Sequence, residues 1–298
     1  TLIMNILFIG PTRIGDTILA SSIINFLIDE NNQSKFTIVT SPFSRDLYEK
    51  LPNLEKIIVI NKKKYGLHWL DVWQSCIFKK WDLVVDLRSS IAAYLLFAKS
   101  RKIFKGNDKS HKIIQFTNFL KTPKKISPFI WHDSTDELES ENKIKTGGPF
   151  IAVSPYSNWR QKDWAIEKYF ELFKNEFFKD YTIIFTGISK DIPNKENFFK
   201  MIDDSSLNII NLFDWGNLRH MVPIFNKCNF FIGSDSGLMH LAASTRCKTF
   251  ALFGPTNEIV YGPWGDHKII KSHDYPAIDD PLNLSVEKVL NVIKNEIE

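Results

Sequence analysis

The stretch NILFIGPTRIGDTILASSIINFL, residues 5–27, decides the fold class. Asn5 to Ile9 is a short, continuously apolar run, which suits a strand buried on both faces. Gly10 and Gly15 bracket a turn-forming loop. Beyond it Ile18, Ile23, Ile24, Phe26 and Leu27 fall on one helical stripe. Arg13, Asp16 and the two glycines interrupt the apolar character, so the run reads as strand, loop and helix rather than as a signal peptide.

The same alternation recurs along the chain. Lys35 to Thr40, Lys56 to Ile60, Asp82 to Leu87 and Lys102 to Phe104 read as further strands. Ile91, Leu95 and Leu96 supply another helical stripe. From Lys121 to Pro149, in KTPKKISPFIWHDSTDELESENKIKTGGP, the pattern lapses into a linker with at most a short helix. Phe150 to Ser154, Thr182 to Thr186, Asn208 to Leu212, Phe230 to Gly233 and Thr249 to Phe253 then form a second strand series. Helices are expected over Trp164 to Phe178, Asn217 to Asn226 and Ser285 to Ile297, the last capped by Ser285. Strand followed by helix, repeated, is the α/β pattern with parallel sheets. The expectation is two domains, 1–135 and 136–298. Ligands of open α/β sheets gather beyond the carboxyl ends of the strands, which predicts a cleft between the domains.

Composition restricts the function classes. The chain has 298 residues, 38 Lys and Arg against 34 Asp and Glu, and 44% hydrophobic residues, as in ordinary globular proteins. No run of about 18 apolar residues exists, so no spanning helix is expected. A net charge of +4 without long basic runs announces no nucleic-acid groove. Cys76, Cys228 and Cys247 are too far apart for a metal knuckle and odd in number, so a reducing compartment is expected. Cys228 and Cys247 sit among apolar residues as core thiols. His111, His132, His267 and His273 have no partner pattern and are expected at the surface.

Three strand-to-helix loops could carry chemistry. In FIGPTRIGDTILA, residues 8–20, backbone N–H groups and a helix N-terminus face whatever sits above them. Neither a G-x-G-x-x-G fingerprint nor a Walker lysine is present. Asp16 can cap the helix and answer its dipole, or act as a general base. In SPYSNWRQKDW, residues 154–164, the hydroxyls of Ser154 and Ser157, the Asn158 amide, Arg160 and Lys162 are groups suited to a phosphate. The alternative is an exposed polar loop anchored by Trp164. In FFIGSDSGLMHLAAS, residues 230–244, a strand ends in small polar residues and enters a helix. There the amides of Ser236, Gly237 and Leu238 can hold a diphosphate while Asp235 bonds a hydroxyl. His240, one turn on, either touches that phosphate or packs. ALFGPT, residues 251–256, adds a second turn. Zinc-protease and α/β-hydrolase motifs are absent.

Together these stretches resemble glycosyltransferase family 9, the bacterial heptosyltransferases of the lipopolysaccharide inner core. WDLVVDLRSSIAAYLL, residues 81–96, is similar to the family's D-L-x-G stretch, and the segment ending YGPWG extends the D-T-G-x-x-H-x-A-A and F-G-P-T signatures. The resemblance covers Asn5 to Gly265. It implies a GT-B fold, two Rossmann-like domains with parallel sheets facing across a cleft, the acceptor on the amino-terminal one and a nucleotide-sugar donor on the carboxy-terminal one. Carried over by position, Asp16 is the base and Lys162 binds the donor diphosphate. Ser157 and Asn158 contact phosphate, Asp235 the sugar, and Ser236, Gly237, Leu238 and His240 complete the cradle. Arg13, Gly15 and Arg88 fall on the acceptor side. Ser236 stands for the family's Thr, Arg88-Ser89 for its Gln-Gly, and Asp191 is the candidate ribose contact.

The implied reaction is inverting transfer without a metal or other cofactor, there being no D-x-D pair, with ADP-heptose as the expected donor. The implied acceptor is a lipopolysaccharide core or related glycan. Lys62 to Lys64, Arg101, Lys102, Lys105 and Lys109 form either a solvated face or a contact with anionic lipid or phosphorylated sugar. The expected location is the cytoplasm, with peripheral contact at the cytoplasmic face of the inner membrane under the second of these readings. A sugar-nucleotide epimerase on the same fold and a non-catalytic nucleotide-sugar-binding module are the alternatives.

Overall fold

The computed structural model describes residues 3–61, 63–145, 147–272 and 282–297. Lys62 and His273 lie outside the described residues. The chain divides into two compact units, Thr1–Asp133 and Ser134–Glu298.

The first unit contains strands β1 (Asn5–Ile9), β2 (Lys35–Thr40), β3 (Leu54–Val59), β4 (Trp81–Asp86) and β5 (Ala98–Ile103), with helices α1 (Ile14–Glu30), α2 (His68–Cys76), α3 (Ile91–Tyr94) and α4 (Lys112–Leu120). The sheet is parallel in the order β3-β2-β1-β4-β5. Leu7, Ile9, Val39, Val84 and Trp81 pack against Val72 and Cys76 of α2 to form one core of the unit. The order reverses between β1 and β4, where Ile9 pairs with Asp86. The loops after these two strands, holding Asp16 and Arg88, therefore leave the sheet side by side.

The second unit opens with α5 (Ser134–Lys143). Strands β6 (Phe150–Ser154), β7 (Thr182–Gly187), β8 (Ile209–Phe213), β9 (Phe230–Ser234), β10 (Lys248–Phe253) and β11 (His267–Lys271) follow. They alternate with helices α6 (Ile166–Phe173), α7 (Lys195–Asp203), α8 (Leu218–Lys227), α9 (Gly237–Ala243), α10 (Glu258–Tyr261) and α11 (Val286–Ile297). The parallel order is β11-β10-β9-β6-β7-β8. Its reversal lies between β6 and β9, with Ser154 opposite Gly233. A Cβ on Gly233 would stand 2.6 Å from the Ser154 carbonyl oxygen, so only glycine lets the two strands approach there.

Several expectations are corrected. The helix expected over Trp164 to Phe178 is shorter. Trp164 and Ala165 precede the helix, α6 covers Ile166–Phe173, and Asn175 takes an extended conformation whose side chain caps a separate 3-10 turn at Glu176–Phe178. The stripe through Ile91 and Leu95 does not face a core. These residues are 69% and 58% exposed, and the buried members of that segment are Ala92, Ala93 and Leu96. The linker holds the ten-residue helix α5, tied to α8 by Arg219 and Asp136 at 3.3 Å and by Ser140 Oγ donating to the His220 carbonyl at 2.8 Å. Strand β11 has no counterpart among the expected strands. It is a half-exposed edge strand, in which the apolar pattern is weak.

His111 is buried rather than at the surface, because its Nδ1 accepts from the Ile113 N–H at 3.1 Å and caps α4. His132 is half-buried and His267 exposed. All three cysteines are buried thiols. Burial pushes Cys76 up to about 11 and Cys228 up to about 12, which leaves them inert at neutral pH.

Candidate functional site

The loop after β1 is held by hydroxyl groups. Thr17 Oγ1 donates to the Arg13 carbonyl at 2.9 Å and lies 3.2 Å from Ser44 Oγ. Ser41 Oγ donates to the Thr12 carbonyl at 2.9 Å. Gly10 N–H continues the ladder to the Val39 carbonyl at 2.9 Å. Asp16 is half-buried in the first turn of α1, where the helix dipole favours a carboxylate. It is not the cap: that position belongs to the exposed Arg13, whose side chain makes no capping bond, with Gly15 between them.

Arg88 follows β4. Its N–H donates to Asp86 Oδ1 at 2.7 Å, and Asp86 Oδ2 accepts from the Ser90 N–H at 2.6 Å and from Ser90 Oγ at 2.8 Å. Asp86 is fully buried, so its three bonds set the shape of the loop. The Arg88 guanidinium carbon stands 5.3 Å from the Trp69 ring centre. Ser89 takes φ +51°, a left-handed conformation that a glycine adopts without cost, which accounts for a glycine at this place in the D-L-x-G stretch.

In the second unit, two loops meet at the sheet reversal. The ammonium of Lys162, in the 3-10 turn Arg160–Lys162 after β6, lies 2.8 Å from Asp235 Oδ2 and 3.3 Å from the Asp235 carbonyl, and Asp235 follows β9 directly. Both side chains are largely buried, so the pair is weakly screened. Buried His240, one turn into α9, stands with Nε2 3.8 Å from Asp235 Oδ1. Ser236 caps α9 by accepting from the Met239 N–H at 3.3 Å. The amides of Gly237 and Leu238 open the helix. Lys162, Asp235, Ser236, Gly237, Leu238 and His240 are thus brought together.

Ser157 is turned into its own loop. Its side chain is buried and its hydroxyl lies 2.9 Å from both Asp163 Oδ1 and the Trp159 carbonyl, so it braces its own loop. Asn158 is exposed in the same loop. Asp191 is half-buried in the 3-10 turn Ser189–Asp191 after β7. Two buried carboxylates that organise these loops, Asp86 and Asp163, were not singled out from the sequence. Their signal is an Asp beside Ser residues in a strand-end loop, which also fits any ordinary turn.

Comparison with known proteins supplies the family. Glycosyltransferase family 9 (heptosyltransferase) matches residues 75–288. The chain belongs to this family. It is a glycosyltransferase. Lipooligosaccharide heptosyltransferase 2 of Campylobacter jejuni is 24% identical over 271 residues, covering 85% of this chain and 82% of that protein. Among solved structures, a family 9 glycosyl transferase from Veillonella parvula superposes with TM-score 0.82 at 19% identity, covering 99% of this chain and 97% of that one. ADP-heptose lps heptosyltransferase II of Escherichia coli gives TM-score 0.77 at 17% identity, covering 99% and 98%. The family 9 chain has the GT-B fold, two α/β units each built on a parallel sheet.

Proposed function

We propose that this family 9 enzyme moves heptose from ADP-heptose onto a lipopolysaccharide or lipooligosaccharide core, with inversion at the anomeric carbon and without a metal or other cofactor. The observation that carries the donor assignment is the convergence of Lys162, Asp235 and the α9 amides at one sheet reversal. The names of the relatives supply the sugar and the acceptor.

In this reading Lys162 and the amides of Ser236, Gly237 and Leu238 stabilise the charge that builds on the leaving diphosphate. Asp235 exchanges part of its bond with Lys162 for a sugar hydroxyl, His240 lies against the phosphates, and Asp191 meets the ribose. Asn158 is an exposed amide available to phosphate, whereas Ser157 acts by bracing the loop. Asp16 takes the proton from the acceptor hydroxyl as that oxygen attacks the anomeric carbon. The C–O bond to the diphosphate breaks with its electron pair, and ADP leaves. Arg13, Gly15 and Arg88 line the acceptor side.

Exposed Lys64, Lys105 and Lys109 of the first unit meet an anionic acceptor or lipid head groups. Lys63 and Arg101 contribute less than their charge suggests. Lys63 is paired with Asp71 at 2.6 Å, and the Arg101 guanidinium is turned onto the carbonyls of Ala93, Leu96 and Ala98. No described helix is long and apolar enough to cross a membrane.

The test is Asp16→Asn. Turnover with ADP-heptose is expected to fall on the order of 10²- to 10⁴-fold while ADP-heptose affinity in calorimetry stays unchanged. Turnover equal to that of the unaltered enzyme removes Asp16 as the base.

A further inference from the structure

The loop that carries Lys162 is closed by a carboxyl group that the proposed chemistry does not use. Asp163 Oδ1 accepts from the Ser157 N–H at 2.8 Å and lies 2.9 Å from Ser157 Oγ. The Asp163 N–H donates to the Arg160 carbonyl at 3.0 Å, and the Lys162 N–H to the Trp159 carbonyl at 2.9 Å. Residues 157–163 thus form one braced loop, from which the Lys162 side chain reaches Asp235.

The two oxygens of Asp163 are not equivalent. Oδ2 is buried without a hydrogen-bond partner among the described residues. A carboxylate oxygen in that position is costly, whereas a carboxylic acid with its proton on Oδ2 leaves Oδ1 free to accept both Ser157 bonds. The surroundings suit the neutral form. Tyr169 of α6 and Tyr156 of the loop face the group; burial raises both phenols, Glu167 of α6 raises that of Tyr156 further, and a charge on Asp163 acts in the same direction on each. Asp191 faces it from the turn after β7, and Arg160 from the loop itself. Burial pushes the Asp163 carboxyl up to about 7. Asp191 adds to the rise, while the Ser157 bonds and Arg160 oppose it.

We propose that Asp163 is the positioning residue of the donor loop, holding Ser157 through Oδ1 so that the Lys162 ammonium is set for the donor diphosphate. The proposal rests on the donor reading above. In its neutral form Asp163 adds no negative charge to the loop that carries Lys162. Once ionised, it gives that loop a negative charge, which opposes an anionic donor.

The test is ADP binding by calorimetry at pH 6 and pH 8, together with donor and acceptor KM, for the unaltered enzyme, Asp163→Asn and Asp163→Ala. Asp163→Ala removes the acceptor for Ser157 and is expected to weaken ADP by about tenfold and raise donor KM, with acceptor KM unchanged. Asp163→Asn keeps an acceptor oxygen and stays neutral. It is expected to match the unaltered enzyme at pH 6 and to bind ADP about threefold or more tightly than it at pH 8. The titration of ADP is common to both proteins and cancels in that ratio.

An Asp163→Ala protein with an unchanged circular dichroism spectrum and unchanged ADP affinity overturns the positioning role alone. So does an Asp163→Asn protein whose affinity ratio between the two pH values equals that of the unaltered enzyme. If Asp163→Ala does not fold, this second comparison decides. Absence of ADP binding by the unaltered enzyme overturns the donor reading and the positioning role together.

Discussion

Lys162 and Asp235 form an ion pair whose members come from two loops 73 positions apart in the chain. Such a pair costs desolvation and gains from its own attraction, so removing one partner leaves the other charge buried and uncompensated. Lys162→Met is therefore expected to raise donor KM by about 10- to 100-fold, with acceptor KM unchanged in steady-state kinetics. Lys162→Arg is not expected to restore it, because a planar guanidinium does not replace a compact ammonium at a site formed by one carboxylate and one carbonyl. Asp163 has a second consequence, for stability. Its folded value of about 7 lies above the ordinary 3.8, so the folded state holds the proton more tightly than the unfolded chain does. The contribution is fully present below the ordinary value and is lost as pH rises to about 7. Asp163→Asn is thus expected to be more stable relative to the unaltered protein at pH 8 than at pH 5, by about 2 kcal/mol in urea melts after allowance for solvent screening.

Among elements, β9 and α5 show how far local pattern reaches. Gly233 closes β9 onto β6, and a methyl group there would have to displace the Ser154 backbone. Gly233→Ala is expected to cost about 1–3 kcal/mol in denaturant melts and to disturb the spacing of Lys162 and Asp235. In α5, buried Asp136 accepts from Arg219 Nε and Nη2, each at 3.3 Å, and this buried pair ties the helix to α8. Asp136→Ala is expected to cost about 3–5 kcal/mol, since it strands the Arg219 charge. In the sequence, α5 sits among prolines and lysines as a polar, weakly amphipathic segment. Its helical state is decided by that tertiary contact and not by its own apolar face. The helix expected through Phe178 fails for the converse reason. Tyr169, Phe170 and Phe173 are buried as a helix face should be, but Asn175 finds a better bond as the cap of a new turn than as a helix-interior residue.

For the whole molecule, binding is linked to folding. A donor or product present at about 100 times its Kd for the native state adds about 2.7 kcal/mol, which for a chain of this size is a rise of roughly 4 °C in Tm. ADP-heptose and ADP are expected to produce that shift, and other sugar nucleotides to produce less in the same thermal-shift series. If Lys64, Lys105 and Lys109 meet anionic head groups or phosphorylated core sugars, binding of the protein to anionic vesicles should fall steeply between about 0.05 and 0.3 M salt. Salt-independent binding would show that the exposed lysines have no part in it.

The apolar runs by themselves determined the two strand series and their parallel pairing, because a strand buried on both faces must be continuously apolar. They also placed Asp16, Lys162 and Asp235 at strand ends, where such sheets keep their ligands. Edge strand β11, the buried face of α3 and the buried cap His111 were not legible, since each depends on what covers it. The partners within the donor site were decided only by the tertiary structure. Strand order, with β9 returning beside β6, joins Lys162 to Asp235, while the 157–163 loop closes on itself through Ser157 and Asp163 and buries Asp163 Oδ2. No spacing along a chain encodes the Lys162–Asp235 contact, because it arises when two distant loops leave adjacent strands at the same edge of a sheet.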